Sequence, residues 1–309
     1  MSFACSTSHR CPVIPAACTA ALVLLTTSCV VRRAPAFDAP TAAALQKGIV
    51  FALAGAGEIR PGVSLANRST PENKKEVRAY LADLLKRFGL APGRQAYSAE
   101  GENVYAILAC GRPSADLIVL GAHYDSARNT PGANDDATGV AAVAAVADYL
   151  SHVKRPRARD LMFVFFDEEE RGLRGSRAFA QMLQDEHRTV HSVHTIDQMG
   201  WDQDGDRAIE LELPYEGAVA VYQAAARALA VNIVIHTTTE AGSDHSAFRR
   251  LGFRAVGITE EYRNHDTTPY IHRPGDTVDT VNFEYLASTT RLLARVMEMI
   301  ATDRPAEHH

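Results

Sequence analysis

Residues 161–166 read "LMFVFF", an unbroken apolar run, and Asp167, Glu168, Glu169 and Glu170 follow with no spacer. A stretch this hydrophobic belongs to a strand covered on both faces. Four adjacent carboxylates repel one another and normally sit in solvated tails. Here they end a buried strand in mid-chain, so the sequence calls for positive charge beside them. The same pattern recurs along the chain. The spacing predicts strands at 104–109, 117–122, 161–166, 190–196, 209–213, 233–237 and 255–259. Helical periodicity is predicted at 71–88, 139–150, 176–183, 217–230, 246–251 and 283–300. Strands alternating with helices imply an α/β chain folded as a three-layer α/β/α sandwich around a mixed, mostly parallel sheet.

In an open sheet of this kind, ligands bind beyond the carboxyl ends of the strands. His123 and Asp125 follow the strand at 117–122, the four acids follow 161–166, and Asp197 follows 190–196. The fold would bring them to one rim, together with Asp135, Asp136 and His272. Imidazoles and carboxylates without a thiolate suit zinc, cobalt or manganese. The set exceeds what one catalytic zinc needs and suits two cations about 4 Å apart that share a carboxylate.

Six segments also resemble the dinuclear zinc aminopeptidases, in the superfamily that includes glutamate carboxypeptidases, glutaminyl cyclases and the transferrin receptor. They are "GAHYDS" (121–126), "PGANDDATG" (131–139), "DEEERGLRGS" (167–176), "IDQMG" (196–200), "GSDHSAF" (242–248) and "PYIHRPGDT" (269–277). The resemblance runs from about residue 70 to the carboxyl terminus and implies a metal-dependent exopeptidase with two zinc ions and a peptide substrate. Carried over residue by residue, it implies His123 and Asp197 as ligands of one metal and Glu170 and His272 as ligands of the other. Asp135 is the implied bridge, Asp125 the carboxylate orienting His123, and Glu169 the general base. Tyr270, Asp244 and His245 are expected to line the substrate pocket; a helix cap at Ser243 or Asp244 is the competing reading. The family tyrosine that in some members precedes the last histidine is replaced by Ile271.

Other residues carry blander expectations. Asp136 reads as a residue at a helix N-terminus, and Asp167 and Glu168 as solvated acids of the rim. His187, His191, His194, His308 and His309 read as surface or core residues without a metal, and Cys110 as an inert buried thiol. Glu260, Glu261 and Asp266 stand where an α-ammonium could be received, whereas Arg263 and Arg273 would suit the carboxylate that a carboxypeptidase binds. A glutaminyl cyclase is an alternative, disfavoured by the compact "EERGLRGS" and by Ile271. A non-catalytic binding module is disfavoured because every ligand is present.

The ends of the chain set the domain organisation. His9 and Arg10 precede the apolar stretch "VIPAACTAALVLL" (13–25), and small residues then lead to Cys29. That is a signal peptide pattern, too short to cross a bilayer as a helix. The "LTTSC" end is similar to a lipoprotein cleavage box. The expectation is a signal at 1–29, a linker with one short helix at 30–66, and a single catalytic domain at 67–304. The protein would be exported to the periplasm or beyond, touching membrane only through a lipid on Cys29. Cleavage there leaves Cys110 as the single cysteine of the mature domain, so neither a disulfide framework nor a thiolate metal site is available. A net charge of −5, with no basic stripe, gives no footprint for nucleic acid.

Overall fold

Eight strands form one mixed sheet in the order β1-β2-β4-β3-β5-β8-β6-β7. They are β1 (Pro92–Ala96), β2 (Glu102–Leu108), β3 (Leu117–His123), β4 (Asp160–Phe166), β5 (Val190–Ile196), β6 (Ile209–Glu212), β7 (Ile235–Thr238) and β8 (Ala255–Thr259). The computed structural model describes residues 37–113 and 115–302. The export segment expected at 1–29, Cys29 included, lies outside the described residues, as do His308 and His309. Among the described residues, no helix is long and apolar enough to cross a membrane.

The helices are α1 (Ala39–Leu53), α2 (Pro71–Arg87), α3 (Gly139–His152), α4 (Arg174–Asp185), α5 (Ala218–Leu229), α6 (His245–Arg250) and α7 (Phe283–Thr302). Alternation along β3 explains the layers. Ile118, Leu120 and Ala122 join the core shared with α1, α2, α3, α5 and α7. Leu117 and Val119 face the opposite core, where Phe179 and Leu183 of α4 meet Phe248 of α6. The three-layer α/β/α expectation holds. Thr70 caps α2, its Oγ1 accepting from the Asn73 amide at 3.2 Å, with Pro71 in the first turn.

Two differences from expectation have physical causes. β1 pairs antiparallel with β2 at the edge of the sheet; its sequence "PGRQA" lacks the apolar run that marks an inner strand. The segment 30–66 holds more than a linker. Ile49, Val50 and Leu53 of α1 are buried in the main core, and Gln46 Nε2 donates to Thr290 Oγ1 of α7 at 2.6 Å. The packed body therefore begins well before residue 67.

Strands β4, β3, β5 and β8 are adjacent and parallel. Their carboxyl ends deliver His123, the acidic run, Asp197 and the 260–272 loop to one edge. β3, at the centre, runs on to β4 on one side and β5 on the other, the crevice where such sheets bind ligands.

A candidate dinuclear metal centre

His123 ends β3 and is almost fully buried. Its Nε2 stands 3.2 Å from Asp135 Oδ1 and 3.6 Å from Asp197 Oδ1, while its Nδ1 faces Asp125 Oδ1 at 3.4 Å. On the other side of Asp135, Oδ2 lies 3.2 Å from His272 Nε2, which is also 3.2 Å from Glu170 Oε2. Asp135 thus presents one oxygen to each histidine, the arrangement a bridging carboxylate requires. The five residues predicted as ligands come together. Asp136 stands in a donor group with His123 and Asp197 as well; its Oδ1 accepts from the amide of Gly139 at the start of α3, as a helix-terminal residue does, and from that of Gln198 beyond β5, while its Oδ2 is buried without a partner.

The donor atoms fit divalent cations. His123 Nε2, Asp197 Oδ1 and Glu170 Oε1 are buried and have no hydrogen-bond partner in the protein, an arrangement that is costly without a ligand. The electrostatics agree. Burial foremost, with Asp197, Asp244 and Asp125 adding to it, pushes the Glu169 carboxyl up to about 10 against the pull of His123. Burial and Asp135 push Glu170 up to about 7. Asp135 resists its own burial, because the two imidazoles beside it, His123 and His272, hold it well below the ordinary range. Hydrogen bonding to Asp135 raises His272 to about 9, despite partial burial. So many carboxylates cannot ionise together unless cations lie among them.

The supporting framework was largely invisible to sequence reasoning. Asp125 accepts from the Glu169 amide with one oxygen (3.0 Å) and from the Glu170 amide with the other (3.3 Å). It therefore ties the acidic run to His123. Arg68 is fully buried and donates to the carbonyls of Tyr124, Pro131 and Gly132 at 2.6–2.9 Å, pinning the loops that carry Asp125 and Asp135. Asp276, within the quoted "PYIHRPGDT", accepts from the Asn134 and Asp135 amides at 2.7 and 3.0 Å. Glu168, Leu173, Gln198 and His272 adopt left-handed backbone, with φ of 54–60°, in a region non-glycine residues avoid and that clusters at functional sites. Gly175 has no room for a side chain: a Cβ there would stand 2.2 Å from the Asp167 carbonyl.

Several expectations are corrected. Asp167 and Glu168 are not solvated rim acids; both are buried. Asp167 pairs with Lys74 Nζ at 3.1 Å and Arg78 Nη1 at 3.4 Å, and Glu168 with Lys74 at 3.1 Å. Half of the acidic run is thus compensated by α2. Tyr270 does not line the cleft but packs edge-on to Trp201, ring centroids 6.1 Å apart. Asp244 and His245 are buried behind the wall rather than lining it. Cys110 is half-buried. Glu260 and Asp266 organise loops instead of facing substrate: Glu260 accepts from Asn134 Nδ2 and the Trp201 and Thr268 amides, and Asp266 from Trp201 Nε1 and the Gln203 amide. Glu261 is buried against His236.

The cleft encloses about 540 Å³ beside the donor clusters. Asp135, Glu169, Glu170, Asp197 and His272 line it, as do Gln198, Glu210, Glu212, Glu240, Ser243, Tyr262 and Ile271. Neither Arg263 nor Arg273 does, and no lining residue is Lys or Arg. Tyr262 is the phenol facing the cleft, its hydroxyl donating to Gln198 Oε1 at 2.8 Å. Burial above all, with Asp197 and Glu260 near, holds its proton well beyond the ordinary range.

The sequence profile of peptidase family M28 matches residues 103–297. Aminopeptidase YwaD of Bacillus subtilis is 25% identical over 197 residues, covering 61% of this chain and 42% of that relative. The chain therefore spans less than half the length of this curated relative. In structure it is similar to the LapA aminopeptidase of Legionella pneumophila, with a TM-score of 0.74, 19% identity, and 86% of this chain and 75% of that one covered. It is also similar to the glutaminyl cyclase of Porphyromonas gingivalis, with a TM-score of 0.67, 18% identity, and coverage of 83% and 98%. At those identities the two structures speak to fold alone. The profile spans more than half of the chain and contains every residue of the two donor clusters: the chain belongs to peptidase family M28.

Proposed function

We propose that the chain is a metal-dependent aminopeptidase that releases N-terminal residues from peptides. One observation carries this reading: the cleft beside the two donor clusters is lined by acids and by no Lys or Arg. An α-ammonium finds partners there, whereas the carboxylate that a carboxypeptidase recognises would find no Lys or Arg in the wall to receive it. The curated relative called an aminopeptidase, YwaD, supports the same activity.

His123, Asp197 and Asp135 Oδ1 would hold one zinc ion, and Glu170, His272 and Asp135 Oδ2 a second; cobalt and manganese suit the same donors. When bound, such a pair lowers the pKa of water between them and polarises the scissile carbonyl. Asp125 fixes the His123 ring through Nδ1 and holds the amides of Glu169 and Glu170, so ligand and base keep one geometry. Glu169 lines the cleft; it accepts a proton from the attacking water and returns it to the leaving amine. Tyr262, with its proton retained, would turn that proton from Gln198 Oε1 toward the substrate, in the place expected for Tyr270. Export by the 1–29 segment, with a lipid on Cys29 as its one membrane contact, is part of the proposal; its support is the charged, apolar and small-residue succession of that segment.

The test is a panel of aminoacyl anilides and peptides with free and acetylated N-termini, with and without a chelator. Free N-termini should be cleaved and acetylated ones spared, with the chelator abolishing the activity. Cleavage of acetylated peptides from the carboxyl end would overturn the reading. The glutaminyl cyclase likeness is examined by including a Gln-initiated peptide; ring closure with loss of ammonia, without hydrolysis of the anilides, would replace the aminopeptidase by a cyclase.

A further inference from the structure

β6 reads Ile209-Glu210-Leu211-Glu212 and runs between β8 and β7, inside the sheet. Alternation sends Ile209 and Leu211 into the main hydrophobic core and both glutamates to the opposite face. That face is no more solvated: Glu210 is 2% exposed and Glu212 9%. Both line the cleft, and Glu240, exposed just beyond β7, stands at its mouth. A carboxylate withdrawn from water is unfavourable unless a cation or a full set of donors meets it.

Neither condition is met within the chain. Among the described residues, no Lys or Arg forms an ion pair with Glu210, Glu212 or Glu240. Glu210 Oε1 accepts the Arg263 amide at 2.5 Å, which supplies a dipole and no charge. Glu212 Oε2 lies 3.5 Å from His245 Nδ1, but burial pushes that imidazole down to about 4, so it is neutral at physiological pH. The metal donors do not absorb these acids, because Glu210 and Glu212 belong to neither cluster. Ser243 adds an independent sign of a missing partner. Its hydroxyl is buried, lines the same cleft and makes no hydrogen bond. The remaining wall is suited to a long aliphatic stem: Leu173, Thr259, Tyr262 and Ile271 line it.

We propose that this pocket selects an N-terminal residue with a cationic side chain, lysine or arginine, whose head group Glu210 and Glu212 receive while Ser243 accepts a further hydrogen bond. The proposal rests on the aminopeptidase reading for its place in a reaction, and on the buried glutamates for its chemistry. Leucine would leave Glu212 protonated, as burial alone does, and forgo the ion pair, while glutamate would find no cation to meet it.

The zinc-loaded full chain is assayed with lysyl, arginyl, leucyl and glutamyl anilides. Lysyl and arginyl substrates should exceed leucyl in kcat/KM by about tenfold or more, with glutamyl the poorest. Glu212→Gln and Glu210→Gln should each cut the Lys/Leu ratio by about tenfold, with KM for the lysyl substrate rising. The ratio is an internal control, since a poorly folded variant loses both activities together. Leucyl preference in the wild type, or an unchanged ratio in both variants, overturns the proposal. Calorimetric titration with lysinamide and leucinamide reads the pocket without turnover. If no anilide is cleaved, yet lysinamide binds more tightly and Glu212→Gln removes the difference, the pocket stands and the aminopeptidase reading falls. Equal binding of the two amides overturns the pocket itself.

Discussion

The carboxylate of Asp125 faces a histidine on one side and two backbone amides on the other, and that single residue couples the two halves of the centre. Its position assigns different work to neighbouring acids. On the proposed assignment, Glu169→Gln keeps size but removes the proton acceptor, so kcat should fall by about 10²–10⁴ with metal content intact. Glu170→Gln instead removes a donor, so one metal per chain should be lost on dialysis and activity should then depend on added metal. Elemental analysis beside steady-state kinetics separates the two. Equal metal loss in both variants would mean that the base and the ligand have been exchanged. The candidate site was legible at this scale because its residues stand in short motifs, each following a strand. What escaped were residues whose partners are remote. The charges of Asp167 and Glu168 are met by Lys74 and Arg78 from a helix some ninety positions earlier, which no local pattern reveals. Within the predicted strand at 209–213, alternation alone does not say whether the face of Glu210 and Glu212 is covered; only the packing shows it to be buried.

At the scale of elements, α2 is both a core helix and the counter-charge of the acidic run. Lys74 is 1% exposed between Asp167 and Glu168. Removing one partner of a buried pair leaves the others uncompensated, at a cost of about 3–5 kcal/mol. Lys74→Met should therefore lower unfolding stability by that order in urea titrations, with metal and with chelator alike. A change below about 0.5 kcal/mol would show that the pair is dispensable. Most elements could be read from periodicity, because strands such as β3 and β4 are nearly continuous apolar runs. The exceptions are instructive. β1 is a short edge strand with Pro and Gly at its start, and α1 lies in an Ala-rich stretch whose buried face emerges only where it packs on α3 and α7.

Over the whole molecule, sheet topology turns separate motifs into one acidic rim, and the rim makes stability depend on metal and pH. Without metal, burial raises Glu170 to about 7 and Glu212 to about 8, and contact with Asp135 raises His272 to about 9. Each folded pKa exceeds its unfolded value, so the folded state holds more protons and stability falls as pH rises. The window opens near the unfolded carboxylate value of about 4.3 and closes near 10, where Glu169 ionises. The Tm of chelator-treated protein should thus decline from about pH 5 to pH 9, and zinc should flatten the curve; a rising Tm would contradict this electrostatic picture. The central claim, that two cations held by His123, Asp135, Glu170, Asp197 and His272 are required for aminopeptidase turnover, is tested most directly by titrating zinc into metal-free protein while following hydrolysis of a lysyl anilide. Activity should be absent at the start and rise to a plateau as two equivalents per chain bind. Full activity in the metal-free protein, or zinc binding at neither cluster, would contradict it.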